Sequence, residues 1–203
     1  MSLTPVAPDH IATIVTALEM LKRPVPRPLP TSSLRLTSWD KPSPEKYRTL
    51  FRRVGAPWLW FSRLVMSDAA LLAIIHDEAV RKWAVQDPRG VEVGILELDF
   101  RVADQCEISY FGLVPELAGK GLGGWLMAHA LANAWIKGVK RVWVHTCTLD
   151  HPSALGFYMR HGFIAYERAV ETFVDPRLAA LLPMDAAAHI PMLRPVDRDT
   201  NWR

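Results

Sequence analysis

Four glycines within six residues, Gly119, Gly121, Gly123 and Gly124, stand where an alternating stretch from Glu107 to Val114 gives way to a helical pattern over residues 122–137. Such a chain must turn a strand into a helix across a loop almost without side chains. The first amides of a helix have no internal partner and lie at its positive end, so this turn forms an anion site that a phosphate can approach closely. Glycine also permits tight packing of helix on sheet, but four in six residues at a strand-to-helix turn favour phosphate binding.

Apolar spacing sets the rest of the expected fold. Ile11, Ile14, Val15, Leu18 and Leu21 recur at helical spacing after Asp9, a suitable N-cap, and Pro24 ends the stretch. Residues 1–30 are therefore read as an N-terminal helical arm with a proline-rich connector. The apolar face of the arm must be covered by its own domain or by a partner, which favours a homodimer. Residues 31–203 are read as the main domain. It begins with a strand over 33–38, a helix from Pro44 and a second helical stretch over 58–75. Strands over 79–85, 91–100 and 107–114 form an antiparallel meander. After the helix 122–137 come a buried strand over 139–146, a helix opened by His151-Pro152 and closed at Gly162, and a strand over 163–173. The remainder is loop or short helix, including 178–182. The expected fold class is α/β, a mixed and mostly antiparallel sheet flanked by helices.

Composition removes several function classes. Half the residues are hydrophobic and 22% are charged, which excludes a disordered chain. The longest apolar run, 69–75, falls far short of the roughly 18 residues of a spanning helix, so no membrane partner is expected. Lys plus Arg 24 against Asp plus Glu 21 are scattered, which gives nucleic-acid binding no support. Cys106 and Cys147 have no metal-ligand spacing, no histidine set matches a metal signature, and no secretory leader pattern is found. The expectation is a cytoplasmic protein with free thiols and no metal.

The phosphate ligand is open on the residues alone. Gly119, Gly121 and Gly124 satisfy G-x-G-x-x-G, with Asp150 as a ribose acid, but Pro115 to Ala118 separate strand from glycines and only 79 residues follow Gly124. An NAD-type oxidoreductase is the alternative. A Walker loop is excluded, because no Gly-Lys-Ser/Thr occurs.

From about residue 80 to 163 the chain resembles the GNAT superfamily of acetyl-CoA dependent N-acetyltransferases. The pyrophosphate loop of that family is matched by Ala118-Gly119-Lys120-Gly121-Leu122-Gly123, with Ala118 where the family has Arg or Gln; the Ala118 N–H is still expected to donate. A second motif is matched by His151-Pro-Ser153-Ala154-Leu-Gly-Phe-Tyr158-Met-Arg-His-Gly162-Phe163, with His151 for the usual Asn. The resemblance implies a parallel strand pair splayed beyond Phe111, Gly112 and Leu113. Backbone groups of Phe111 and Leu113 would then bind the coenzyme arm, and the Phe111 amide would donate to the acetyl oxygen. The loop from Ala118 to Gly124, with His151 and Ser153, would hold the rest of acetyl-CoA, the cosubstrate. Tyr158 would protonate the leaving thiolate, and Glu107 would act as general base.

Strand alternation puts Glu107 on the face of Ser109, Phe111 and Leu113; Glu97, Asp99 and Asp150 are rival bases. The bland alternatives are an ordinary strand glutamate and a half-core tyrosine. His129 and His145 are assigned to structure; Trp39, Tyr47, Trp58, Trp60 and Phe61 are candidate substrate-pocket aromatics, with core the favoured reading for most of them. The expected reaction is direct acetyl transfer to a primary amine; a non-catalytic acetyl-CoA sensor is the non-enzyme alternative. A small-molecule amine, an amino acid, a peptide and a protein lysine all remain acceptors, because variable loops bind them.

Overall fold

Buried on nearly every side chain, the strand β4 (Glu92–Asp99) lies deep in one seven-stranded sheet of order β2-β3-β4-β5-β6-β1-β7. The computed structural model describes residues 3–193. The other strands are β1 (His10–Met20), β2 (Arg35–Ser38), β3 (Val80–Gln86), β5 (Gln105–Leu113), β6 (Arg141–Cys147) and β7 (Ile164–Val174). All neighbours are antiparallel except β5 and β6, as a mixed sheet requires.

Two layers of helix cover the sheet. On one face lies α1 (Pro44–Gly55), started by Pro44 and by the Ser43 hydroxyl, which accepts the Lys46 amide at 3.2 Å. It buries Tyr47, Leu50, Phe51 and Val54 against β4 and β5. A short 3-10 turn, Ala56–Trp58, follows, and α2 (Asp68–Ile75) is capped by Ser67. On the opposite face lie α3 (Leu122–Ala134), which buries Trp125, Leu126, Met127 and Ala130, and α4 (Ala154–Arg160), whose Phe157 and Tyr158 meet Phe111. No helix among the described residues is long and apolar enough to cross a membrane.

Two expectations are corrected. The N-terminal helical arm is instead the strand β1, paired with β6 from Val15↔Cys147 to Met20↔Val142 and with β7 from His10↔Val174. Ile11, Thr13, Ile14, Val15 and Thr16 are β-branched, a composition that fits a pleated sheet, and pairing on both sides overrides a helical spacing the same residues also satisfy. The helix expected over 58–75 is confined to Asp68–Ile75, because the chain reverses at Leu59, whose φ is +55°, and Trp60 donates back to Gly55 O at 3.0 Å. Residues 178–182 are turns and bends, within the expectation of loop or short helix; Arg177 organises the segment by donating to the carbonyls of Ala186, Ala187 and Ile190. Residues 194–203, also expected as loop or short helix, lie outside the described residues.

Since β1 carries hydrogen bonds on both edges, a chain beginning at Thr31 should lose its cooperative unfolding transition in circular dichroism. The milder change Leu18→Ala, at a fully buried β1 position, should lower stability by about 2–5 kcal/mol in urea titration. A shortened chain with a native spectrum and sharp transition would contradict this placement.

Candidate active site

Parallel pairing of β5 with β6 covers Gln105↔Arg141, Cys106↔Val142 and Glu107↔Trp143 and then stops. Beyond it the strands part, and a cavity of 590 Å³ opens between them, reached by residues 108–113 of β5 and by Val144, His145 and Cys147 of β6. Val114 N donates to Val93 O at 2.9 Å, in register with the pairs from Gly94↔Leu113 to Glu97↔Tyr110. Antiparallel bonding alternates, so Tyr110 and Gly112 bond to β4 while the main-chain groups of Phe111 and Leu113 face the gap.

A β-bulge sets the side chains. On β4 the partners step from Glu97 to Leu98, while on β5 they step from Tyr110 to Ile108, leaving Ser109 as the extra residue. Glu107 therefore shares a face with Tyr110, Glu97 and Asp99, not with Phe111, and the simple alternation expected over Glu107–Leu113 is corrected. It does not line the cavity, but its Oε1 stands 3.7 Å from Nδ1 of His145, which does. Burial raises the Glu107 pKa, the His145 imidazole opposes the shift, and Asp99 on the paired strand adds to it.

The rival carboxylates are distinguished by their partners. Glu97 is fully buried, accepting from Arg63 Nη2 at 2.6 Å and from the Tyr47 hydroxyl at 2.6 Å. Asp99 is held by the Arg101 guanidinium. Asp150 lines the cavity and accepts from Thr146 Oγ1 at 2.7 Å, Cys147 N at 2.9 Å and Trp60 Nε1 at 3.3 Å.

At the glycine loop, Gly119 and Gly121 both have φ +73°, and Gly121 is the N-cap of α3. A Cβ at Gly119, Gly121 or Gly124 would meet nothing within 4 Å, so the glycines answer to backbone conformation and open space rather than to helix packing. The amides of Gly119, Lys120, Gly121, Leu122 and Gly123 have no acceptor among the described residues, a run that suits an anion. The Ala118 amide donates to Pro115 O at 2.9 Å, which corrects its expected role as a free donor. Ala118, Gly119, Leu122, Gly123 and Gly124 line the cavity with Gly121, whereas the Lys120 side chain is exposed outside it. His151 and Ser153 also line it, with Ser153 Oγ 2.8 Å from His151 Nδ1.

Tyr158 on α4 is buried against Phe111 and Phe163 and faces the same cavity. Burial, reinforced by the charge of Asp150, raises its pKa well above that of a free phenol, so it holds its proton at neutral pH. The aromatic residues divide. Trp39 and Tyr47 are core, as expected of most of the group, whereas Trp58, Trp60 and Phe61 line the cavity and take up the pocket alternative. Phe173 of β7 packs on Phe61 with ring centroids 4.7 Å apart, and Glu171 stands beside it in the same wall. Glu171 and Phe173 carry no motif; only the strand's placement beside β1 brings them to the site.

The sequence profile of the Acetyltransferase (GNAT) family matches residues 36–163. Spermidine N(1)-acetyltransferase of Vibrio cholerae is 29% identical over 108 residues, 49% of this chain and 58% of that protein, so the match spans little more than half the length of that relative. A GCN5-related N-acetyltransferase from Sphaerobacter thermophilus superposes with a TM-score of 0.59 at 13% identity, over 79% of this chain and 51% of that one. The dodecameric spermidine N-acetyltransferase from Vibrio cholerae superposes at 0.52 and 19% identity, over 73% and 97%. Likeness at these identities establishes the fold.

The Arg63 and Glu97 pair beneath the site is expected to be structural. Arg63→Met would leave a buried carboxylate without its cation and should lower stability by about 3–5 kcal/mol in urea titration. A loss below about 1 kcal/mol would mean that water reaches Glu97.

Proposed function

Because the chain belongs to the GNAT acetyltransferase family, we propose that it transfers an acetyl group directly from acetyl-CoA to the primary amine of a small cationic molecule. The reading rests above all on one observation: the free amides of the glycine loop open onto the cavity that the main chain of Phe111 and the Tyr158 hydroxyl also face. The amides from Gly119 to Gly123 hold the pyrophosphate. Leu113 pairs with the coenzyme arm through its free main-chain groups, His151 and Ser153 flank it, and the Phe111 N–H donates to the acetyl oxygen as negative charge develops there.

The acceptor enters from the face of α1. Trp58, Phe61 and Phe173 provide apolar and cation–π surface, and Glu171 provides the opposite charge to an ammonium. The spermidine acetyltransferase relative supports a small amine over a protein lysine. Before attack the ammonium must lose a proton. His145 accepts it inside the cavity and Glu107, 3.7 Å behind, stabilises the imidazolium. Tyr158, protonated by virtue of its burial, returns a proton to the leaving thiolate.

Three measurements test this. Acetyl-CoA should raise the thermal midpoint by an amount that grows with the logarithm of its excess over Kd, and Gly121→Asp, which sets a carboxylate where the pyrophosphate would lie, should abolish the rise. A folded Gly121→Asp protein with the full rise would remove the loop from the site. Glu107→Gln and Tyr158→Phe should each slow thiol release roughly 10²- to 10⁴-fold with little change in coenzyme affinity. Their pH profiles should differ. Since Glu107 titrates above the ordinary carboxylate range, the wild-type rate should fall as pH drops through that raised value. The Glu107→Gln deficit should be largest near pH 6 and shrink as pH rises and free amine accumulates, whereas the Tyr158→Phe deficit should persist. Wild-type rates for Glu107→Gln at pH 6 would exclude Glu107 as the support of the His145 imidazolium. Finally, di- and polyamines should be acetylated in preference to lysine peptides, and coenzyme binding without thiol release from any amine would indicate a sensor.

A further inference from the structure

Where the ladder between β5 and β6 is missing, contacts other than main-chain bonds must hold the two strands at a fixed span. On the face of α3 and α4 the Phe111 ring does so, packing on Phe157 and Tyr158 with centroids 5.8 and 6.2 Å apart. On the face of α1 the indole of Trp60 reaches across. It lies against the main chain of β5, and two glycines make room for it. A Cβ at Gly55 would stand 2.5 Å from Trp60 Cβ, and one at Gly112 would stand 3.3 Å from Trp60 Cη2 and 2.7 Å from Val54 Cγ1. Phe51 and Tyr110 flank the ring, with centroids 5.6 and 5.3 Å away. From this seat Trp60 Nε1 donates to Asp150 Oδ1 at 3.3 Å, while Asp150 Oδ2 is fixed to the end of β6 by Thr146 Oγ1 at 2.7 Å and Cys147 N at 2.9 Å. Gly112 stands between Phe111 and Leu113, whose main-chain groups face the gap, and Asp150 stands just ahead of α4, which carries Tyr158.

We propose that Trp60 and Asp150 form a strut across the gap, and that this strut sets the span between the Phe111 N–H and the Tyr158 hydroxyl. The role rests on the proposed acetyl transfer, in which the amide meets the acetyl oxygen and the phenol meets the leaving sulfur of one thioester. The amide belongs to β5 and the phenol to the helix after β6, so a change in the width of the gap moves one relative to the other. A misplacement of about 1 Å at reacting groups can cost roughly 10² in rate. Trp60 is thus a positioning residue, acting through the two groups it holds in place. Asp150 is its anchor rather than the base, since three donors already occupy the carboxylate, and a bond to an ionised acceptor is stronger than one to a neutral oxygen. Trp58 and Phe61 neighbour Trp60 in the same wall of the cavity, so the strut also ties the acceptor side to the coenzyme side.

The test uses a variant of the full chain that keeps an aromatic ring and removes the donor. Trp60→Phe should lower kcat for thiol release roughly 10- to 10²-fold, with acetyl-CoA affinity little changed and a native unfolding transition. Because no proton moves through the strut, the deficit should be the same factor at pH 6 as at higher pH. Asp150→Ala should also slow release, and Trp60→Phe added to it should cost nothing further, since the partner is already gone. The bond itself is read without activity by NMR: the indole N–H resonance that is lost in Trp60→Phe should move in Asp150→Asn. Four results would each overturn the strut: wild-type kcat in Trp60→Phe, fully additive losses in the double variant, an unmoved indole resonance, or a Trp60→Phe deficit that grows toward low pH, which would make Asp150 a titrating base. Acetyl-CoA binding with no thiol release by the unsubstituted chain would instead overturn the acetyl transfer itself, and any role in it.

Discussion

The parting of β5 from β6 is the constraint from which the rest of the molecule follows. Three parallel pairs hold the strands together, and after Glu107↔Trp143 the ladder ends although both strands continue. A sheet interior normally leaves no main-chain group unbonded, since each unmet donor or acceptor away from water is costly. Here the groups of Phe111 and Leu113 face a gap instead. The bulge at Ser109 stands where the strands separate, and a bulge bends its strand and increases its twist. One extra residue thus both steers β5 away from β6 and moves Glu107 to the acceptor side.

Each helix then takes a place set by that gap. α3 begins beside it, so the loop that must turn β5 into α3 presents its amides at the mouth. α4 follows β6 and packs Phe157 and Tyr158 against Phe111, which buries the phenol and keeps it protonated. On the other face, α1 and the reversal after it hold Trp60 against Asp150 and set Arg63 on Glu97. In the proposed reaction anion binding and acceptor binding fall on opposite faces of one sheet, and they meet only where the ladder is missing.

Much of this was legible from residue order alone. The meander, α3 with its glycine start and α4 with its close at Gly162 declare themselves by period and by turn chemistry, which are local properties, although α4 begins at Ala154 rather than at Pro152. β1 does not, because Ile11, Ile14, Val15 and Leu18 satisfy a helical stripe as well as a strand, and only the empty edges of β6 and β7 decide between them. The bulge is hidden for a related reason: counting alternate residues from Glu107 assumes that no residue is inserted. The Ala118 amide could be assigned only once Pro115 O was seen to accept it. Trp58, Trp60 and Phe61 looked like core because large aromatics usually are, and Glu171 and Phe173 enter the site through sheet order, which no window of sequence contains.

Hydrogen exchange at single-amide resolution, with and without acetyl-CoA, tests the central claim most directly. Without the coenzyme, the amides of Gly119, Lys120, Gly121, Leu122, Gly123 and Phe111 should exchange fast, since none has a partner among the described residues, while Gly112, bonded to β4, is protected. Saturating acetyl-CoA should slow the loop amides and Phe111 together and leave Gly112 unchanged. Protection of the loop and Phe111 before any coenzyme is added, or no slowing at these amides once it is bound, would contradict a site built from the missing ladder and the glycine loop.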